Sequence, residues 1–348
     1  MGGGVDVPFG LATSVGPVPF GSPGPAVDFA LSAHPRFPTA PVLAGADQSL
    51  LARAVDALSG VEVLPPGLLQ VDLARLPSAA HVADVGAILD GAPHRALRDF
   101  LAAVAVSADG GPHPGPVRVG LLGPVTLTLA LQASGVPLVR ASALARTLVE
   151  QRAAAVLAEA RAALPTAVVA VVLSEPGLIG AMHPTFPLSP VEVRSLLDPV
   201  VDALDRSPAA GELLLIGVHV PGRTDWETIL ASGVSLVSAP ADAGLVGWAD
   251  RLGVMLEAGG WIAWGAVPVD QPLGTSEELL WRRLAAVWGD LAAVGVDPML
   301  IRLRSMVSPA DGLGHFGESQ AERVIDLVTS VSSRVRRQTI AARLSLGA

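Results

Sequence analysis

Residues 211–240, GELLLIGVHVPGRTDWETILASGVSLVSAP, hold two short apolar runs, Leu213–Val218 and Val234–Val237. One short helical segment starting near Asp225 separates them, and each run stops at a polar side chain, His219 after the first and Ser238 after the second. Strand-length apolar runs alternating with helical segments are the pattern of a parallel βαβ unit. The pattern recurs. Val117–Leu122 ends in Gly123–Pro124, Ala167–Leu173 ends in Ser174–Glu175–Pro176, Trp261–Val267 ends near Pro268, and Met299–Met306 runs into Ser308–Pro309–Ala310–Asp311. Helical stretches are expected over Ser142–Leu164, from the Ser189–Pro190 pair onward, over Glu277–Val294 with Thr275 or Ser276 as cap, and from Glu318.

Earlier in the chain the rhythm is looser. A first strand is expected over Ala12–Val18 and another near Val61–Leu64, with helices around Gln48–Leu58 and Arg95–Val106 and a loop over Asp109–Pro116. Together these make eight strands. The later ones read as nearly unbroken Val, Leu and Ile, as parallel strands covered on both faces should. Eight βα repeats in 348 residues predict a (β/α)8 barrel, one domain over residues 1–348 with an irregular N-terminal region; a doubly wound open sheet is the alternative. In such a barrel the active site lies at the C-terminal strand ends, which here carry Gly16, Gly123, Ser174, Glu175, His219, Ser238 and Asp311.

Composition narrows the chemistry. The chain has no Cys, Tyr, Lys or Asn, a composition that points to a GC-rich bacterial genome. Thiolate nucleophiles, thiolate-bound zinc, Schiff-base lysines and the Walker-type phosphate lysine are excluded. The net charge is −9 and the one basic run is Arg334, Arg336 and Arg337, expected at the end of the last helix, so nucleic acid is not expected as a partner. Mean hydropathy is +0.53, yet no apolar run approaches a membrane span, and the N-terminus lacks the basic and apolar regions of a signal peptide. A cytoplasmic protein acting on a small molecule is expected.

Each candidate has a plain structural alternative. Glu175 could bind a substrate amine or act as a base, or it could cap a neighbouring loop; His219 could be a ligand or acid/base, or a packed core residue. Asp311 and His315 lie in the turn SPADGLGHFGES, where Asp-Gly alone is ordinary turn chemistry. The same turn contains Gly312-x-Gly314-x-x-Gly317 after a strand, but no further βαβ unit follows to supply an acidic ribose ligand. A phosphate on the amides of this loop is the remaining use for it.

Taken together, these strand ends resemble those of the superfamily of cobalamin-independent methionine synthase and uroporphyrinogen decarboxylase, over one barrel from Gly16 to the C-terminal helix. Gly16-Pro-Val-Pro19 is similar to the family's Gly-Ser-x-Pro turn, Gly123-Pro-Val-Thr126 to Gly-Pro-x-Thr, and Leu173-Ser-Glu-Pro-Gly-Leu178 to Asp-Glu-Pro-x-Leu. Val218-His-Val-Pro221 resembles the zinc-binding His-x-Cys motif with Pro221 for Cys, Ser238 stands where the family has a zinc-binding Glu, and Asp311 replaces the last zinc Cys. The resemblance implies methyl transfer to a thiol, a substrate site including Gly16, Gly123, Thr126, Ser174, Glu175 and Ser238, and catalysis by His219, Asp311 and Glu175. Zinc is the cofactor it implies, with His219 and Asp311 the ligands retained. With the Cys and Glu ligands gone, methionine synthase turnover itself is not expected. Three readings stay open: a divergent methyltransferase-like enzyme, a metal-free enzyme of the decarboxylase type, and a non-catalytic metabolite-binding barrel.

Overall fold

A computed structural model describes residues 7–82, 85, 87–109, 115–271, 274 and 276–345. The loop expected over Asp109–Pro116 and the cap residue Thr275 fall mostly or wholly outside the described residues. Among the described residues there are ten strands: β1 (Pro17–Val18), β2 (Val42–Leu43), β3 (Val61–Leu64), β4 (Leu68–Val71), β5 (Val117–Leu122), β6 (Val169–Ser174), β7 (Leu214–His219), β8 (Leu236–Pro240), β9 (Trp261–Val267) and β10 (Ser305–Pro309). Strands β5 to β10 form one six-stranded sheet in sequential order, and every pairing in it is parallel. Consecutive order with helical crossovers is the βα repeat expected from the apolar rhythm.

Both edges of this sheet meet the N-terminal segment. Ala12 bridges Val307 of β10 and Thr39 bridges Arg118 of β5, both in the parallel sense. The two segments also meet each other: β1 pairs with β2, and the Thr13 and Thr39 hydroxyls lie 3.0 Å apart. The strand expected at Val61–Leu64 is therefore not part of this arrangement. It pairs antiparallel with β4 through the turn at Pro65–Gly67, forming a separate hairpin. A Pro-Pro-Gly sequence between two short apolar runs is turn chemistry, and the partner strand lies next to it in sequence. The segment that joins the sheet edge is instead the Pro-rich stretch at 38–43, where prolines hid the strand.

Two other boundaries differ from the sequence reading. Residues Pro298–Leu303 form a helix capped by Asp297, and strand pairing begins only at Ser305. Arg334, Arg336 and Arg337 lie well inside the long helix Glu318–Ser345; Arg334 ion-pairs with Glu278 of the helix Glu277–Ala293 and stacks over Trp281. No helix among the described residues is long and apolar enough to cross a membrane.

Side chains alternate across each strand. Val117, Val119, Val169, Val171, Leu173, Val218 and Val237 pack with the surrounding helices into one large core. The opposite, inner face holds a second cluster, in which Ala170, Val172, Leu215, Leu236, Trp261, Ala263 and Met306 close against Val7, Leu11 and Phe37. Both faces are thus buried, which explains the unbroken apolar strands.

Candidate functional site

Following the inner face toward the C-terminal ends of the strands, the apolar cluster gives way to polar side chains. Ser174, His219 and Ser238 are register partners across β6, β7 and β8, so they form one row. A small cavity of about 20 Å³, partly open to solvent, lies beside this row and is lined by Gly16, Thr39, Arg118, Gly120, Ser174 and His219 among others.

His219 is 3% exposed. Its Nδ1 lies 3.1 Å from the Ser238 carbonyl oxygen and 3.0 Å from Ser238 Oγ. A carbonyl can only accept, so a proton on Nδ1 satisfies that contact and leaves the Nε2 lone pair free. Nε2 has no hydrogen-bond partner among the described residues and lies 3.7 Å from Asp311 Oδ1, at ion-pair distance. Burial lowers the His219 pKa from its ordinary value; the Asp311 carboxylate opposes the shift and the Arg118 charge adds to it. For Asp311, which is half-exposed, burial raises the pKa, but His219 and the Gly312 N–H outweigh it and the carboxyl ends below its ordinary value. The pair at neutral pH is a neutral imidazole facing a carboxylate.

Arg118 was not singled out from sequence. It is the one charged residue inside an otherwise apolar strand, and that was the available signal. It projects from the inner face of β5, is 3% exposed, and donates from Nη2 to Ser238 Oγ at 3.2 Å. Its Nη1 has no partner. Among the described residues no carboxylate lies within 4.0 Å of it. Burial lowers its pKa to about 9, which leaves it charged at neutral pH. Ser308, on the inner face of β10, also has a buried hydroxyl without a partner.

Glu175 occupies a different environment. It is fully buried, and its carboxylate accepts hydrogen bonds from Val125 N–H at 2.9 Å, Thr126 N–H at 2.7 Å and the Thr126 hydroxyl at 2.6 Å. These donors open the helix Pro124–Ala133, so the carboxylate caps a helix N-terminus. Thr126 Oγ1 in turn accepts from Gly177 N–H at 3.0 Å. Gly123 is required here by close approach, since a Cβ on it would lie 2.1 Å from Glu175 Oε1. Glu175, Gly123 and Thr126 therefore lock two strand-end loops together, and none of them lines the cavity. Burial raises the Glu175 pKa, the three donors oppose it, and the balance is about 7.

Gly16 lines the cavity with φ +64°, and a Cβ there would lie 2.6 Å from Gly312 Cα. Gly312 and Gly314 both abut the Pro17 ring, and Leu313 N–H donates to the Pro17 carbonyl at 2.6 Å. Gly312 N–H donates to Asp311 Oδ1 at 2.7 Å. The glycines of the G-x-G-x-x-G pattern thus answer to packing against the N-terminal turn, and the amides of Gly312 and Leu313 are engaged within the fold rather than turned toward a phosphate. His315 directs Nε2 to the Val269 carbonyl at 3.1 Å, away from His219.

The zinc implied by the motifs can be tested against this donor set. Only His219 Nε2 and Asp311 Oδ1 converge. Ser238 is engaged with His219 and Arg118, and Pro221 has no donor atom. Among the described residues no group of three or more His, Cys, Asp or Glu side chains could hold a metal. A catalytic zinc needs about three protein ligands, and the unpaired Arg118 cation beside Ser238 opposes a second positive charge. The residues do not fit the ion.

No protein-family model and no curated protein matches the sequence. Among solved structures, the chain is similar to a B12-independent methionine synthase from Shewanella sp. W3-18-1, at 14% identity over 70% of this chain and 68% of that one, TM-score 0.43. A GH53 catalytic domain from Ignisphaera aggregans is similar at 13% identity over 84% and 87%, TM-score 0.34. A GH10 xylanase from termite gut is similar at 9% identity over 96% and 77%, TM-score 0.35. Scores and identities this low assign neither a family nor a reaction.

Proposed function

We propose that the chain is a closed (β/α)8 barrel whose C-terminal rim binds a small organic molecule and moves a proton on it through His219, without a metal. Closure is supported by the parallel bridges at both sheet edges and the Thr13–Thr39 contact, which supply two further strand positions. The turn motifs around Gly16, Gly123 and Leu173–Leu178 support a divergent relative of the methionine-synthase-like barrels. The site does not support that family's methyl transfer, because the described residues at this rim do not fit the metal that would hold the thiolate.

The observation that carries the reading is the buried, unpartnered Nε2 of His219 facing Asp311 at 3.7 Å. In the neutral tautomer set by the Ser238 carbonyl, Nε2 accepts a proton from a C–H or O–H of the bound molecule. The imidazolium so formed faces Asp311, whose carboxylate stabilises it until the proton is returned. A general base of this kind is worth about 10²–10⁴ in rate.

Two measurements test this. Protein purified without chelators is expected to hold well under one equivalent of zinc, with no difference between wild type and His219→Ala, and to make no methionine from methyl-folate and homocysteine. Near-stoichiometric zinc that vanishes in His219→Ala would overturn the metal-free mechanism. In D2O, NMR of small hydroxy and keto compounds is expected to show deuterium uptake dependent on His219. Binding of such compounds with no His219-dependent exchange would leave a metabolite-binding barrel instead.

A further inference from the structure

The three buried arginines of this protein have unequal surroundings. Arg53 donates from Nε to the Pro93 carbonyl and from Nη2 to the Pro41 carbonyl. Arg152 donates to the Ile88 and Asp56 carbonyls and lies beside His94. Both tie N-terminal loops to the helices beneath them. Arg118 does nothing of the kind. Among the described residues its side chain makes one hydrogen bond, to a serine hydroxyl, and holds Nη1 buried and unpartnered on the wall of the cavity. A cation taken out of water with no counter-charge costs far more than one hydrogen bond returns.

The space around it is shaped for a guest. Gly120 lies two residues on and so on the same face, and a Cβ there would meet nothing within 4 Å. Ser238 Oγ joins Arg118 Nη2 at 3.2 Å to His219 Nδ1 at 3.0 Å, so guanidinium and imidazole sit on either side of one hydroxyl.

We propose that Arg118 anchors a single carboxylate of a small organic acid, with the rest of that molecule reaching His219. The proposal rests on the reading of this cleft as a ligand site and names its substrate class. A planar guanidinium fork matches a carboxylate. One charge is called for, because one unpaired cation is present and Asp311 stands at the other side of His219 and repels a polyanion. The cavity is small, about 20 Å³, and partly open to solvent, which limits the part held against Arg118 to a group about the size of a carboxylate.

The test is calorimetric titration and thermal shift with acetate, glycolate and pyruvate, set against inorganic phosphate, citrate and acetamide. Wild type, Arg118→Met, Gly120→Val and His219→Ala are compared, each checked for native circular dichroism. At least one monocarboxylate is expected to bind wild type more tightly than phosphate, citrate or acetamide. Its affinity should fall at least tenfold in Arg118→Met and in Gly120→Val, which fills the space and keeps the charge. Monocarboxylate binding that survives Arg118→Met unchanged overturns the anchor and leaves the His219 reading standing, as does equal binding of acetamide. Tighter binding of phosphate or citrate overturns the choice of a monocarboxylate. Carboxylate binding without His219-dependent proton exchange supports the anchor and overturns the acid–base reading. Failure of every compound to bind wild type overturns the anchor.

Discussion

Replacing Arg118 with methionine should make the ligand-free protein more stable. The drop in its pKa from 12.5 to about 9 measures how poorly the folded protein accommodates the charge. At about 1.4 kcal/mol per pH unit this is about 5 kcal/mol. Against that stand the charged hydrogen bond to Ser238, about 1–3 kcal/mol, and whatever packing the stem provides, which a methionine of similar length largely retains. Ser238 Oγ keeps His219 Nδ1 as a neighbour, so the substitution does not strand it. The net expectation is a gain of about 2 kcal/mol, in line with the gains of about 1–4 kcal/mol seen when apolar groups replace buried ions. With an unfolding entropy of about 2.1 cal/mol/K per residue, a chain of 348 residues should show this as a rise in Tm of about 3 °C. Urea unfolding followed by circular dichroism, with the two proteins sharing one m-value, gives the free-energy difference. A loss of 1 kcal/mol or more in Arg118→Met would show that the arginine holds the fold together, and the argument from its missing partner would fail.

Other perturbations separate scaffold from site. Glu175→Gln places an amide NH2 against one of the two N–H donors, Val125 or Thr126, and should cost about 1–3 kcal/mol in urea unfolding; no measurable loss would refute the helix-capping role. The pKa of Glu175 is raised from 4.5 to about 7 in the folded protein, so the native state binds this proton more tightly than the unfolded chain. Its contribution is full below about pH 4.5 and lost as pH rises through about 7; Glu175→Gln should lack that decline, and an unchanged pH profile would refute the shift. The imidazole Cε1–H signal of His219 should titrate below its ordinary pKa, and Asp311→Asn should lower it further, since the carboxylate favours the cation; a pKa that rises in the variant would refute the pairing. Gly16→Ala forces a Cβ to within 2.6 Å of Gly312 at a positive φ and should cost about 1–3 kcal/mol, with a neutral result in thermal unfolding refuting the interlock.

The sheet was legible because each of β5 to β10 is a run of apolar residues whose partner strand is the next such run. The strand ends were legible for the same reason, and the structure does bring Gly16, Ser174, His219, Ser238 and Asp311 to one end of it. The edge segments were not legible. Residues 38–43 carry prolines at 38 and 41 and make only scattered bridges, whereas Val61–Leu64 has the better strand composition and spends it on a local hairpin. Register with a distant edge leaves no local mark in sequence. Arg118 escaped notice for a related reason. Its charge sits near the start of β5, and only the length of the side chain carries it up to the level of Ser238. The roles of Glu175 and the G-x-G-x-x-G glycines were hidden because both depend on what the residues touch across the fold, namely Thr126 and Pro17.

That contrast gives a physical criterion for telling the two kinds of strand-end residue apart. Glu175 follows β6 and His219 ends the adjacent parallel strand β7, and both are almost wholly buried. Every oxygen of Glu175 is met by a donor from the same two loops, so its burial is self-consistent without any guest. His219 Nε2, Arg118 Nη1 and Ser308 Oγ are buried on one inner face with no partner. Each such group costs about 1–3 kcal/mol when left unmet, and a charged one more. Two of them, on His219 and Arg118, line one cavity. The economical explanation for two of them on one cavity is a polar guest that meets both. A crystal structure with a bound monocarboxylate should therefore show that molecule touching at least Arg118 Nη1 and His219 Nε2; a ligand seated away from both would refute the criterion for this protein.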